Sequence, residues 1–142
     1  MTNPVADFLL APIRMIQEIR TIGGGINRWG AALNIPQIIG GVVFIGTPEG
    51  AAILLVELTC LLIAGQIHRR ERFSRLISIC HVPWLFLLPW LIWRFAIVEH
   101  SAALTIWLAY VIAAIAISLV FDVIELMRYA KGGRVFAWAK GE

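Results

Sequence analysis

Residues 57–81 read ELTCLLIAGQIHRRERFSRLISICH, and the fold turns on this stretch. It begins with a carboxylate, Glu57, about halfway through one apolar run. It then crosses a basic block, HRRERFSR at 68–75, and enters a second apolar run that carries His81. Apolar, basic, apolar over this length is the pattern of two helices crossing hydrocarbon in opposite directions, joined by a loop on the cytoplasmic side. Within the first run, Glu57, Cys60, Ala64 and His68 recur at steps of three and four residues, which puts them on one narrow helical stripe.

Composition fits that solvent. Of 142 residues, 60% are hydrophobic and 15% charged, against roughly a quarter charged in soluble domains. A soluble domain this small has too much surface to bury so many apolar side chains. The expectation is one all-α integral membrane domain over 1–142. Cys60 and Cys80 lie inside apolar runs without C-x-x-C spacing, so they read as small buried hydrophobes and not as a disulfide or metal framework. The formal charge of +3 comes from basic residues beside apolar runs, which fits membrane topology better than nucleic acid.

Working outward toward the start, residues 1–10 lack a basic n-region and a small-residue cleavage site, so a retained N-terminus is expected. Over 4–22 apolar residues recur at helical spacing opposite Asp7, Arg14, Gln17, Glu18 and Arg20. That pattern predicts an amphipathic helix lying in the interface. Gly23, Gly24 and Gly25 then supply a hinge. A first span is expected at 29–46, short and interrupted by Asn34, Pro36 and Gln37. A turn at 47–50 leads to a second span at 51–67.

Beyond the basic block, a third span is expected at 76–98, with Pro83 and Pro89 inside it. Each proline removes an N–H and frees the carbonyl one turn back, at Ile79 and Leu85. The fourth span, 102–124, is rich in alanine, and a basic, aromatic tail follows at 125–142. The prediction is thus a four-helix membrane bundle with an N-terminal interfacial helix. Eleven of the twelve Lys and Arg residues fall on the side of both termini and the 68–75 block, leaving only Arg94 near the other face. By the positive-inside rule both termini are cytoplasmic, in a multi-pass protein of a bacterial inner membrane. A three-span alternative, with the first segment lying flat, puts the N-terminal arginines on the wrong side.

Arg69, Arg70, Arg72, Arg75, Arg128, Lys131, Arg134 and Trp138 are expected at the lipid surface, where cations and aromatic rings meet anionic headgroups. Membrane lipids are therefore one partner, and nucleic acid is not. Ala109, Ala113 and Ala116 make a small-residue face against which another helix can pack, from this chain, a second copy or another integral membrane protein.

Glu57 falls roughly 15 Å from the inner end of its span by the helical rise. A carboxylate at that depth must face protein, not lipid. It reads either as a proton or cation relay or as a packing hydrogen bond to Asn34, Gln37 or Arg94. Arg94 has a second option, snorkelling outward to Glu99. Asp122 and Glu125 are expected to pair with Arg69, Arg72 or Arg75. His81 could ligate haem, but His68 and His100 lie at water boundaries and supply no second intramembrane histidine. A quinone near His81, Trp84 and Ser118 is the other cofactor option, so the cofactor stays open.

No H-E-x-x-H, G-x-S-x-G or G-x-x-x-x-G-K-[ST] motif occurs, and the scattered acids and histidines make no catalytic or metal-ligating set. The leading expectation is a non-enzymatic accessory or assembly subunit. The alternatives are a small oligomeric transporter or channel using Glu57 and His81, and a haem- or quinone-binding respiratory anchor.

Overall fold

The computed structural model describes residues 3–140, so the first two and last two residues of the expected single domain lie outside it. Among the described residues the chain is all helical, with no strand. The α-helices are α1 (Pro4–Ile22), α2 (Gly25–Val43), α3 (Pro48–Arg70), α4 (Trp84–Ile97) and α5 (Ala102–Ala130). Two 3₁₀ segments, Arg75–His81 and Ala137–Lys140, complete the order.

Local chemistry sets the helix starts. The Asn3 side chain accepts the Val5 N–H at 3.0 Å with Pro4 behind it. Thr47 accepts from Gly50 at 3.0 Å ahead of Pro48, and Ser101 accepts from Leu104 at 3.3 Å. Each cap satisfies one of the donors a helix start leaves open. Between α1 and α2 the chain turns through Gly23 and Gly24 at φ 71 and 78, a region that a side chain makes costly.

Packing is antiparallel. Around the turn at 44–47, α2 folds back on α3 so closely that a Cβ on Gly41 would lie 2.8 Å from the Leu54 Cβ. α5 joins α2 through side chains that reach backbone carbonyls. Trp107 Nε1 donates to Pro36 O at 2.9 Å, and the Tyr110 hydroxyl donates to Ala32 O. Pro36 has no N–H to give the Ala32 carbonyl one turn back, which leaves that oxygen open for Tyr110, while the Trp107 indole fills the space a Cβ on Gly40 would need. α1 lies against the last turns of α3, where a Cβ on Gly65 would sit 2.5 Å from Pro12 N. Ile53, Trp84, Leu91, Leu108, Val111 and Ile115 are fully buried at the centre.

Two helices, α3 and α5, are long and apolar enough to cross a membrane. The number is three if the first 3₁₀ segment and α4 count as one bent span. α2 has 19 residues but falls short in apolarity, because Asn27, Arg28, Asn34 and Gln37 dilute it.

Several expected boundaries move. α3 continues through His68, Arg69 and Arg70, so only 71–74 remain as loop. α5 runs to Ala130, six residues past the expected span, through the good helix formers Glu125, Leu126, Met127 and Arg128. The expected single span at 76–98 is broken. Its first part is 3₁₀, and it meets α4 at a 40° bend across Val82 and Pro83. The Ile79 carbonyl is consequently not free, because the tighter winding lets it accept the Val82 N–H at 3.0 Å.

Candidate functional site

Polar side chains inside the core fall into three levels. At the end holding the 44–47 and 98–101 connections, Glu49 is 1% exposed. Arg94 Nε donates to its Oε1 at 2.6 Å and His100 Nε2 lies 3.2 Å from the same oxygen. The Arg94 guanidinium also sits 5.9 Å from the centre of the Trp90 ring. Arg94 therefore neither pairs with Glu57 nor snorkels to Glu99. It turns to the carboxylate that the first turn of α3 presents at its own depth.

At the middle level, Glu57 is as buried as Glu49, yet its Oε2 has no partner in the protein. None of the three expected partners reaches it. Asn34 Nδ2 donates to Gly30 O at 2.7 Å and Gln37 Nε2 to Leu33 O at 3.1 Å, both within α2. The stripe expected on α3 does form, since Glu57, Cys60, Ala64 and His68 are all buried. Cys60 lies one turn along α3 from Glu57, Cys80 precedes His81 in the 3₁₀ segment, and both are buried.

At the basic end the 3₁₀ segment supplies His81. Its Nδ1 lies 2.7 Å from Asp122 Oδ2, and its ring stacks on Trp84 at 3.9 Å. Asp122 thus serves a histidine, not the arginines expected for it. One turn on, Glu125 pairs with Arg75 and accepts from Arg128 at 2.6 Å. Arg75 departs from the expected lipid-surface set, because its pairing with Glu125 and its contact with the Phe136 ring bury it.

A separate lock fastens α1. The Phe73 N–H donates to His68 Nδ1 at 3.3 Å, which leaves the proton on Nε2 to donate to Glu18 Oε2 at 2.8 Å. Arg72 donates to the other oxygen at 2.6 Å. The His68 hydrogen bond holds the Glu18 carboxyl below its ordinary 4.5, with Arg72 assisting against partial burial. Phe73 reaches this position at φ 53. The chain beyond it pairs with the tail, where Arg75 N donates to Arg134 O at 2.8 Å and Phe136 N to Phe73 O at 3.0 Å. Trp138 packs edge-on against Phe73 and stacks on Phe136, so it is half-buried.

Arg69, Arg70, Arg72, Arg128, Lys131 and Arg134 are exposed. On α5, Ala109 and Ala113 are exposed and Ala116 half-buried. Among the described residues no three His, Cys, Asp or Glu side chains are grouped to hold a metal ion. Compared with models of protein families, with curated proteins and with solved structures, the chain has no match.

Sequence reasoning missed the Glu49 cluster and the His81–Asp122 pair. A signal for the second existed, since Asp122 lies one turn beyond Ser118 on the buried stripe of α5, and His81 enters its own span at a similar depth.

Proposed function

We propose that this is a multi-pass protein of a bacterial inner membrane, with four spans, both termini cytoplasmic and α1 on the inner leaflet. Its role is that of a non-enzymatic accessory or assembly subunit, packing against another integral membrane protein or its own copies. The observation that carries this reading is the face of α5, where Ala109 and Ala113 stay uncovered while the polar groups at both ends of the core are engaged within the chain. Small residues on a lipid-facing surface let a second helix approach closely. For the fourth span, support comes from the hairpin of α2 with α3 and from the length of α2, about 28 Å by the helical rise. A groove of about 400 Å³ between α1 and α3, lined by Phe8, Leu62, Ile63 and Ile67 with Arg70, suits the chain of an anionic lipid.

Native mass spectrometry from mild detergent tests the role. A homo-oligomer or a co-purifying membrane protein is expected, and leucine at both Ala109 and Ala113 should dissociate it. A bare monomer at every detergent concentration would sink the reading. A second reading, a small oligomeric transporter or channel for protons or a small solute, draws support from the unpartnered carboxylate of Glu57. Loss of pH-dependent flux in Glu57→Gln proteoliposomes is its test. The haem- or quinone-anchor reading has less support, because His81 is already engaged by Asp122 and Trp84. A Soret band in the purified protein would restore it for haem.

A further inference from the structure

Among the described residues six buried side-chain polar atoms have no partner in the protein, and four of them, Gln37 Oε1, Glu57 Oε2, Trp84 Nε1 and Ser118 Oγ, belong to the most deeply buried residues. Their residues are 0%, 1%, 0% and 2% exposed, and they come from four different helices, α2 to α5. A buried polar atom left unpaired is costly, and where several such atoms gather, a buried water is their usual partner.

The polar groups are not spread evenly along the core. From the basic end inward they form a column. Arg128 and Arg75 hold Glu125, and Asp122 follows one turn deeper with His81 upon it. Trp84 is stacked on His81, and Ser118 lies one turn beyond Asp122 on the buried face of α5. Cys60, one turn from Glu57 on α3, and Cys80, next to His81, are both buried in the same core cluster. Beyond Glu57 the column stops. Ile53, Leu91 and Leu108, each fully buried, separate it from the other end, where Glu49 is occupied by Arg94 and His100.

We infer that the half of the core between Glu57 and the basic end holds water, that the opposite half is dry, and that Glu57 is a proton-binding site reached from the basic side alone. Water supplies what the orphaned atoms lack. Trp84 can only donate, Gln37 Oε1 can only accept, and the Ser118 hydroxyl does both. Glu57 accepts when ionised and donates when protonated. The titratable groups of the elements packed around this core are Cys60 on its own helix, Cys80 and His81 on the 3₁₀ segment, and Asp122 on α5, with His81 and Asp122 engaged by each other. α2 and α4 contribute the neutral Gln37 and Trp84, because Arg94 is held by Glu49. On α1 the acids are engaged elsewhere, Glu18 by His68 and Arg72 and Asp7 by Arg14. Among the described residues no cation pairs with Glu57, so its charge is balanced by taking up a proton. The inference concerns access to one carboxyl and stands or falls separately from the oligomeric state.

Infrared spectroscopy of the full chain in lipid vesicles tests it. The carboxylic C=O band of protonated Glu57 is identified by its loss in Glu57→Gln, or by its shift in Glu57→Asp if the first variant does not fold. On transfer to D2O the band should move within minutes, and a band unmoved after hours would overturn the inference. Ser118→Val, which lines the column with a methyl group, should slow the exchange at least tenfold, while Ile53→Val on the dry side should leave it unchanged. The reverse pattern, or equal effects from both, would overturn one-sided access.

Discussion

Glu49 and Glu57 sit on the same helix, two turns apart, and each is 1% exposed. Glu49 has a guanidinium at 2.6 Å and an imidazole at 3.2 Å, whereas Glu57 has neither. Equal burial therefore does not mean equal roles. Glu49 is a closed charge cluster that clamps the start of α3 to the end of α4 and to the connection before α5. Glu57 is a group whose protonation can change without breaking any bond in the protein. A third carboxylate, Glu18, is equally well partnered but lies near water, with 31% of its side chain exposed.

Four measurements would break or sharpen this contrast, the first three taken as unfolding in a single detergent. The largest effect is expected for Arg94→Leu, which strands a buried carboxylate with only His100 and should cost about 3 kcal/mol. A loss below half of that would mean that Glu49 is solvated after all. Next comes Asp122→Asn, which removes the charge from the His81 hydrogen bond and should cost about 1–2 kcal/mol. Glu57→Gln should change stability by less than about 1 kcal/mol, in either direction, since no protein partner is lost. If it destabilises as much as Arg94→Leu, the contrast between the two glutamates is gone.

Smallest is the effect of pH on α1. Because Glu18 is held below 4.5 in the folded chain, its contribution is fully present above that value. It fades as pH falls through the lowered folded value. The protection of α1 amides, taken relative to their intrinsic exchange rate at each pH, should therefore fall on acidification below about pH 4.5 and stay flat in Glu18→Gln. Identical acid sensitivity in the variant would remove Glu18 from the docking of α1.

Much of the fold was readable from periodicity. The amphipathic helix at 4–22 appears with those bounds, and α3 and α5 meet the expectation of long apolar helices. The broken third segment was harder to read. Prolines announce that a helix is disturbed, but the choice between a kink and a change to 3₁₀ winding depends on what the neighbours accept. Here α3 and α5 flank the segment, with Asp122 meeting His81 at its end. In the site, the stripe of Glu57 with Cys60, Ala64 and His68 followed from counting residues along a helix. The partners did not, because a pairing such as Arg94 with Glu49 joins residues 45 positions apart.

By itself the sequence determined the apolar character of this chain, the presence of its long helices and which face of α3 turns inward. These are local matters of composition and a 3.6-residue repeat. Which carboxylate is neutralised and which is left alone was decided only by the tertiary structure. Charges pair through space, over a few ångströms, and only packing the helices together brings a particular arginine or histidine within that reach.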